Sequence, residues 1–500
     1  MKKWRFKRVL LCVPPFPGIY EYPSAPLPAT GYLESMLEKN KVVVDVIDMR
    51  LNYTIKNLLK KVEEFKPDLI GMTMMTYRHD VAYELVNQLK KAGHTVVIGG
   101  PHVSTLRKKV LEECDADFAV KIEGEYPLLE LCMGMDLKKI KGLIFRNNGE
   151  IIENEDRPPI LELDKIPIPH YKHFELEKYK TKSIQIITSR GCPFFCIYCP
   201  VKVTMGRQFR VRSPENVVNE IKYWYKKGYR RFAFNDDNFT LFKKRVLEIC
   251  DLIEKNNLKD LILGCPNGIR ADKTDREVLK RMKEVGFRNF GIGVEAGTNR
   301  ILKILKKGQT IEVVEKAIKN ACDLGFDINL FFLIGSPGET LPDVKKSVNL
   351  ALKYPISDVR FYNLIPFPET ELYDWIEKNN YFLKDPKDYL NQIMQWENEP
   401  VFWTPEFSKD ERREALIFTK YIREIVLLRA LKRKFRKRYG ILGIVMYSFL
   451  RLKITKRIIF ISFKHLDRTW IFRKVRQKLS RSKMTAVQQL LRYIKARDTC

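Results

Sequence analysis

The feature that most constrains the fold is an alternation of short apolar runs with amphipathic stretches, which occurs in two separate blocks. The first block covers residues 1–135 and contains five apolar runs: Val9–Val13, Val42–Ile47, Leu69–Met75, Val96–Gly100 and Phe118–Ile122. Buried parallel strands read as continuous apolar runs, and their crossover helices read as amphipathic stretches. The block therefore predicts a Rossmann-like α/β domain, which binds ligands at the carboxyl ends of its strands.

The second block covers residues 181–400 and contains six strand-like runs: Ile184–Thr188, Arg231–Asn235, Leu261–Cys265, Asn289–Glu295, Asp327–Gly335 and Asp358–Pro366. Six βα units are too few for an eight-fold barrel, so the pattern predicts a partial (β/α)6 barrel of the TIM type. Residues 136–180 lack a long periodic segment and are predicted to be a linker. Residues 401–500 show no strand alternation and are predicted to be helical.

Positive charge is concentrated in that C-terminal region. The 500-residue chain carries a formal charge of +30, and residues 401–500 alone hold 27 Lys and Arg against 7 Asp and Glu, a net +20. Ten cysteines are too sparse for a disulfide scaffold, and no window offers the roughly 18 apolar residues of a membrane span. We therefore expect a cytoplasmic location with reduced cysteines.

Three cysteines stand out as a group directly after the first strand of the second block. Their spacing is Cys192-x3-Cys196-x2-Cys199. Three thiolates on one loop can bind three irons of a [4Fe–4S] cluster and leave the fourth iron to a non-protein ligand. The alternative is a zinc knuckle, which needs a fourth protein ligand; His170 and His173 are near enough in sequence to supply one.

The cysteine spacing, together with Tyr198 before the last cysteine, resembles the radical S-adenosylmethionine superfamily. The later strand ends match that family in order: FNDDNFT (234–240), NGIRAD (267–272), GIGVEAG (291–297), FFLIGSPGET (331–340) and IPFPETELY (365–373). The chain departs from the family at Ala296, where a serine is usual, and at Glu369, where a glycine is usual. The serine's hydroxyl contact is therefore not expected here.

The resemblance implies a site for S-adenosylmethionine built from strand ends. It places Asp236 or Asp237 against the ammonium group, Arg270 against the carboxylate and Glu295 against the ribose hydroxyls. Tyr198 is expected against the adenine, and Gly335 lies in the turn after the fifth strand of the barrel. Other roles remain open at this point: the carboxylates can instead cap helices, and Tyr198 can be a core aromatic residue.

The N-terminal block resembles the cobalamin-binding class of the same superfamily. Four segments match in order: GYLESMLEKNKVVVDVID, PDLIGMTMMTYRHD, VVIGGPHVST and VKIEGEYPLLEL. The resemblance implies cobalamin at the carboxyl edge of the sheet, lined by Thr73, Thr76, Gly99, Gly100, His102 and Gly124. An Asp-x-His-x-x-Gly motif is missing, so the lower face of the cobalt is expected to be unligated or water-ligated. Two alternatives are a fold that has lost its corrin, and a His102 that only holds a turn.

Residues 428–480 interleave Arg and Lys with aromatic residues and include the apolar run Gly440–Leu450. This pattern predicts peripheral contact with an anionic membrane surface. It is also compatible with docking on the phosphate backbone of RNA, or with a solvated helical cap on the barrel.

Together these features predict a cobalamin-dependent radical S-adenosylmethionine enzyme that methylates an unactivated carbon of a lipid-like or other hydrophobic substrate. A 5′-deoxyadenosyl radical would abstract the hydrogen, cobalamin would deliver the methyl group, and a ferredoxin- or flavodoxin-type protein would supply electrons. One alternative is a ring-forming or carbon–carbon bond-forming enzyme of the membrane-lipid or tetrapyrrole cyclase type. Another is an RNA-directed modification or binding protein. The sequence assigns no catalytic residue.

Overall fold

The computed structural model describes residues 4–16, 23–392 and 398–451, and in these the chain forms two compact units. The first unit comprises the described residues of Met1–Lys227 and Pro366–Ile393. The second comprises those of Gly228–Ile365 and of the segment from Met394 onward.

The first unit is built on a seven-stranded sheet of order β2-β1-β3-β4-β5-β6-β7. Its strands are β1 (Arg8–Val13), β2 (Val43–Asp48), β3 (Leu69–Thr73), β4 (Val96–Gly99), β5 (Phe118–Val120), β6 (Leu143–Asn147) and β7 (Glu150–Glu153). The first five strands are parallel, as their apolar runs predict. Strand order reverses direction between β1 and β3, so the ligand-binding crevice of such a sheet is expected at the carboxyl ends of these two strands.

Helices connect and cover these strands. They are α1 (Pro28–Lys39), α2 (Ile55–Phe65), α3 (His79–Lys91), α4 (Pro101–Leu106), α5 (Lys109–Glu113) and α6 (Glu125–Cys132). Leu58 and Val62 of α2 and Val86 and Leu89 of α3 are buried in the same apolar cluster as Leu10 of β1. The apolar faces of α2 and α3 thus pack against the sheet, which agrees with the predicted amphipathic stretches.

The first part of residues 136–180, which are predicted to be a linker, forms two further strands of the sheet. β6 and β7 form a hairpin there that extends the sheet antiparallel from β5. Its turn is Asn148-Gly149, and both residues have a positive φ, 49° and 88°. An Asn-Gly pair between two apolar segments favours this tight hairpin turn, so the sequence did contain the signal.

The first unit also contains β8 (Ser183–Ile186), the two-stranded ladder of β9 (Ser189–Arg190) and β10 (Arg210–Val211), and four further helices. The helices are α7 (Val201–Thr204), α8 (Pro214–Lys226), α14 (Glu371–Lys378) and α15 (Pro386–Asn391). β8 is the first of the six strands that the second sequence block predicts. β9 and β10 were not predicted, and they enclose the cysteine loop.

The second unit holds the remaining five strands of that block, each pairing parallel with the next along the chain. They are β11 (Arg231–Phe234), β12 (Ile262–Ile269), β13 (Phe287–Glu295), β14 (Asp327–Ile334) and β15 (Asp358–Asn363). The helices between them are α9 (Lys243–Lys255), α10 (Arg276–Glu284), α11 (Asn299–Ile304), α12 (Ile311–Asp323) and α13 (Leu341–Lys353). The repeated βα order confirms the predicted barrel-type fold class.

The C-terminal region begins with one long helix, α16 (Lys409–Arg451), which packs along β15. Arg423 of α16 pairs with Asp358 of β15 at 3.0 Å, which fixes the helix to the edge of the second unit's sheet. Gly440 interrupts α16 with a non-helical backbone, φ 57° and ψ −133°. Among the described residues, no helix is long and apolar enough to cross a bilayer. The part of the predicted membrane-contact segment beyond residue 451 lies outside the described residues.

Candidate active site

The three clustered cysteines lie on a loop that is closed at its base. β9 precedes this loop and β10 follows it, and the Cys192 amide donates to Gly206 O at 3.2 Å. Gly191 adopts a φ of +83°, and a Cβ at this position would collide with the Gln208 carbonyl oxygen, so the turn requires glycine. All three thiols are partly exposed: Cys192, Cys196 and Cys199.

Burial separates these cysteines from most of the others in the described part of the chain. Burial raises the pKa of Cys114 to about 11 and the pKa of Cys132 and Cys250 to about 12. Iron is bound by the thiolate form, which such buried sites disfavour. The three partly exposed thiols on one loop are therefore the donor set that fits a [4Fe–4S] cluster.

The two histidines considered as a fourth zinc ligand have other contacts. His173 Nδ1 lies 3.0 Å from Glu34 Oε1, and the His170 ring packs against Tyr223 with the ring centroids 4.6 Å apart. These contacts favour the cluster over the zinc knuckle.

Two residues from outside the cysteine loop, Arg207 and Leu372, hold its outer part. Arg207 donates to Phe194 O at 3.0 Å and lies over the Phe195 ring, 4.0 Å from its centroid. From the other side, the Leu372 amide at the start of α14 donates to Ile197 O at 3.0 Å. Tyr198 follows Ile197 and is partly exposed, and its predicted contact with adenine stays a prediction.

The residues predicted to bind S-adenosylmethionine in the second unit follow consecutive strands. Asp236 comes after β11, Arg270 after β12, and Glu295 ends β13, and all three are buried. Because the strands are parallel, their carboxyl ends meet at one edge of the sheet. The strand ends thus supply two carboxylates and one guanidinium from the same edge of this unit.

Neither carboxylate caps the helix that follows it. α9 begins at Lys243 with Phe242 as its N-cap, and α11 begins at Asn299 with Thr298 as its N-cap. The capping alternative for Asp236 and Glu295 is therefore wrong.

A lysine that the sequence analysis missed completes this group. Lys307 Nζ donates to Glu295 Oε1 at 2.6 Å, and both side chains are buried. A Cβ on Gly293 would come within 2.6 Å of the same carboxylate oxygen, so glycine makes room for the ion pair. Lys307 follows α11 in a Lys-Lys-Gly turn, and nothing in that turn's sequence pattern distinguishes it from a solvated loop.

Arg270 is also held by its surroundings. Its Nε donates to Asp272 Oδ1 at 2.9 Å, and its Nη2 donates to Gly308 O at 3.3 Å, in the turn that carries Lys307. These bonds fix the guanidinium at the strand end, where it can pair with a ligand carboxylate.

Gly335 lies in a crowded turn after β14. It has a φ of +101°, and a Cβ would collide with the buried guanidinium of Arg412, which donates to Gly335 O. The Gly335 amide donates to Glu339 Oε2 at 2.6 Å. Burial raises the pKa of Glu339 to about 7. The turn is therefore fixed by α16 and by a buried carboxyl group, and a contact of Gly335 with S-adenosylmethionine stays a prediction.

The residues predicted to line cobalamin follow β3, β4 and β5 of the first unit: Thr73, Thr76, Gly99, Gly100, His102 and Gly124. Gly100 has a φ of +111°, and a Cβ there would lie 2.7 Å from Met74 O. Glycine at this position lets the chain after β4 approach the chain after β3 closely. This close approach brings Thr73 and Gly100, two of the residues predicted to line cobalamin, next to each other. Their contact with cobalamin stays a prediction.

His102 packs against two aromatic side chains of α3. Its ring is fully buried, stacks on His79 with centroids 4.3 Å apart, and places Nε2 2.7 Å from the hydroxyl of Tyr83. Burial, with a contribution from the charge of His79, lowers the pKa of His102 to about 3. These contacts join α4 to α3, and a contact of His102 with cobalamin stays a prediction.

His79, His102 and Glu113 place one potential ligand atom each within 4.8 Å of one another. The imidazole planes are stacked at 21°, so their in-plane lone pairs point side by side and do not converge. We therefore do not assign a metal ion to this group.

Two family models match the chain. The B12 binding domain model matches residues 21–132, and the radical SAM superfamily model matches residues 186–351. An uncharacterized methyltransferase of Pyrococcus horikoshii is 31% identical over 445 residues, which cover 84% of this chain and 94% of that protein. The chain belongs to the radical S-adenosylmethionine superfamily, in its cobalamin-binding class. It is a radical S-adenosylmethionine enzyme whose cofactors are a [4Fe–4S] cluster, S-adenosylmethionine and cobalamin.

Other similar proteins differ in their named reactions. The anaerobic magnesium-protoporphyrin IX monomethyl ester cyclase of Cereibacter sphaeroides is 28% identical over 65% of this chain and 56% of its own length. The cobalamin-dependent radical enzyme OxsB has a similar fold, with a TM-score of 0.70 at 17% identity over 99% of this chain and 80% of its own. The radical methyltransferase TsrM of Kitasatospora setae, solved with cobalamin and a [4Fe–4S] cluster, has a TM-score of 0.63 at 22% identity over 75% of each chain.

Proposed function

We propose that this enzyme is a C-methyltransferase that transfers a methyl group to an unactivated carbon of a lipid-like or other hydrophobic substrate. The observation that carries the proposal is the loop of three partly exposed cysteines, together with the close approach of Gly100 to the chain after β3 at the predicted cobalamin edge of the sheet. Both features belong to the first unit. The relative from Pyrococcus horikoshii, which matches 84% of this chain, is named a methyltransferase.

In this proposal the residues of the chain bind and orient S-adenosylmethionine. The three thiolates hold the cluster, Asp236 accepts from the ammonium group, and Arg270 pairs with the carboxylate. Glu295 accepts from the ribose hydroxyls while Lys307 neutralises its charge. When bound, the cofactors supply one-electron cleavage of S-adenosylmethionine and methyl transfer. A ferredoxin- or flavodoxin-type protein is the proposed electron donor.

Ring or carbon–carbon bond formation is the second candidate, and the similarity to the Cereibacter sphaeroides cyclase favours it. Product stoichiometry separates the two reactions. Methylation consumes one S-adenosylmethionine for the radical and a second for the methyl group, so 5′-deoxyadenosine and S-adenosylhomocysteine form in a 1:1 ratio. A cyclisation forms 5′-deoxyadenosine without S-adenosylhomocysteine. Measuring both products by anaerobic chromatography, with a panel of hydrophobic candidate substrates, tests the proposal.

The second half of α16 supports contact with an anionic membrane surface. It carries a basic segment followed, after the interruption at Gly440, by exposed apolar side chains. The basic residues are Arg429, Lys432, Arg433, Arg436 and Lys437, and the apolar ones are Ile441, Leu442 and Val445. Each Lys or Arg near an anionic lipid surface contributes about 1 kcal/mol of binding free energy. Basic residues beside apolar side chains that can insert into the lipid therefore suit a peripheral membrane contact. A substrate dissolved in the bilayer would be met at this surface.

Flotation with vesicles containing phosphatidylserine tests this contact. Ile441→Glu should reduce flotation, because Ile441 is 82% exposed beside the basic segment. Ile417→Glu is the matched control, since Ile417 is also exposed on α16 but lies outside that segment. Salt-sensitive retention of tRNA without flotation would instead support the RNA-directed alternative.

A further inference from the structure

A buried cluster of two carboxylates and two guanidinium groups lies at the base of the cysteine loop. Its members are Glu123, Glu125, Arg190 and Arg210, which we call the Glu123 cluster. Glu123, Glu125 and Arg210 are buried, the Arg190 side chain is 11% exposed, and the four charges balance. The two glutamates follow β5 of the N-terminal sheet, Glu125 as the first residue of α6, and the two arginines belong to β9 and β10, which flank the loop.

Arg190 is the member nearest to the cysteines, two residues ahead of Cys192. Its Nη1 lies 2.7 Å from Glu123 Oε1 and its Nη2 lies 2.6 Å from Glu125 Oε1. The guanidinium fork therefore bridges two carboxylates, which a lysine in its place could not do with the same geometry. The strand that leads into the loop is thus fixed in both position and direction.

Arg210 fixes the strand that leaves the loop. It lies directly opposite Arg190 in the β9–β10 ladder, and its Nη1 lies 2.7 Å from Glu123 Oε2. The same Nη1 donates to Ile160 O at 2.9 Å, while the Ile160 amide donates to Glu123 Oε2 at 2.8 Å. One carboxylate therefore holds both ends of the cysteine loop and a segment of the connection between the two sequence blocks.

A short chain of bonds links this carboxylate to the predicted corrin edge. Ile122, next to Glu123, donates its amide to Ser104 Oγ at 2.8 Å. Ser104 lies in α4, whose first turn follows Gly99 and Gly100, and its hydroxyl donates to Gly100 O at 3.1 Å. α4 also packs against α7, the helix that follows the last cysteine. The loop and the sheet edge thus share a continuous set of polar contacts within the first unit.

From these contacts we infer that Glu123 and Glu125 are positioning residues: they hold the cysteine loop against the N-terminal sheet and couple its order to occupancy of the corrin edge. The inference rests on the proposed function, because it takes that edge to bind cobalamin. Removing one partner of a buried ion pair leaves an uncompensated charge, so the loop should loosen when either carboxylate is replaced. These polar contacts physically link the cysteine loop to the predicted corrin edge, so coupling between the loop and the edge can be measured.

Hydrogen exchange on the full-length protein, with and without hydroxocobalamin, tests the inference. In Glu123→Gln the amides of residues 191–206 should exchange about tenfold faster or more, since charge-assisted hydrogen bonds to both flanking strands weaken. In the parent protein, hydroxocobalamin should slow exchange of the same amides. In Glu123→Gln that slowing should be confined to the N-terminal sheet.

Glu130→Gln is the matched control. Glu130 lies on α6, like Glu125, and forms a bidentate pair with Arg157 at 2.6 and 2.8 Å, but it does not contact the strands that flank the loop. This variant should keep the exchange of the parent protein at residues 191–206. Glu125→Gln, which leaves Glu123 to both arginines, gives a milder second test if Glu123→Gln does not fold.

Unchanged loop exchange in both Glu123→Gln and Glu125→Gln would overturn the positioning role. A loop that loosens in these variants, but whose exchange does not respond to hydroxocobalamin in the parent protein, would overturn the coupling. If the parent sheet binds no hydroxocobalamin, the cofactor basis of the proposed function fails. The basal exchange rates still decide the positioning role in that case.

Discussion

Lys307 Nζ lies 2.6 Å from Glu295 Oε1, in a pair where both side chains are buried at the carboxyl end of β13. The carboxylate is the group that the family resemblance places against the ribose of S-adenosylmethionine. An ammonium partner compensates the charge of a buried carboxylate, and its hydrogen bond fixes the carboxylate in one orientation. The pair therefore prepares Glu295 for the role that we propose.

Replacing Lys307 by methionine should weaken binding of S-adenosylmethionine about tenfold, because the buried Glu295 carboxylate loses the hydrogen bond that holds its orientation. Equilibrium dialysis of the reconstituted protein measures this. Lys306→Met is the matched control, since Lys306 is the exposed neighbour. Equal affinities of the two variants would show that the pair does not support the binding site.

The turn at Gly335 should be intolerant of any side chain. Gly335→Ala combines a positive φ with a collision with Arg412, whereas Gly325→Ala, in the same unit, has a φ of +68° and no atom closer than 3.9 Å. Left-handed backbone costs about 1–2 kcal/mol for alanine, and overpacking adds about 1–3 kcal/mol. In urea unfolding, Gly335→Ala should therefore lose more stability than Gly325→Ala. Equal losses would contradict the packing of Arg412 on this turn.

Glu339 should make stability fall as the pH rises toward neutrality. Burial raises its folded-state pKa to about 7 from the ordinary value of 4.5, so between these pH values the folded state holds a proton that the unfolded chain has released. The contribution of this proton to the free energy of unfolding is complete below about pH 4.5 and is lost as the pH rises through about 7. Glu339→Gln mimics the protonated group, so its stability relative to the parent protein should increase between pH 5 and 8, by up to about 3 kcal/mol.

Urea titrations of both proteins at several pH values measure that difference. Glu414→Gln, an exposed substitution on α16, is the control and should show no such trend. A Glu339→Gln advantage that shrinks as the pH rises would contradict the assignment.

Bound cobalamin should lack a histidine ligand. His102 is buried against Tyr83 and His79, and His79 Nδ1 is bonded to Thr76 O at 2.7 Å. The electron paramagnetic resonance spectrum of bound cob(II)alamin should therefore show no nitrogen superhyperfine splitting from an axial imidazole. His102→Phe should leave that spectrum unchanged. A splitting that disappears in this variant would show that the histidine reaches the cobalt.

The strands were predictable because each apolar run is local in sequence. The runs at Val9–Val13 and Asp327–Gly335, for example, differ from β1 and β14 by a single residue at one end. The polar contacts that organise the candidate site were not predictable in the same way. Arg190 meets Glu123 across 67 residues and Arg412 meets Gly335 across 77, and only the packed fold brings such residues together. Local sequence patterns therefore predicted the strand ends and the cysteine loop. They did not predict the distant residues that hydrogen-bond to these segments and fix them.

The most direct test of the central claim is formation of 5′-deoxyadenosine by the anaerobically reconstituted enzyme with S-adenosylmethionine and a strong reductant. We expect the parent protein to form it, and Cys192→Ala to lose at least about 99% of the activity, because a cluster held by two thiolates is not retained. Cys322→Ala removes a partly exposed cysteine on α12 and should keep the activity of the parent protein. A parent protein that forms no 5′-deoxyadenosine, or a Cys192→Ala variant that forms as much as Cys322→Ala, would contradict the account.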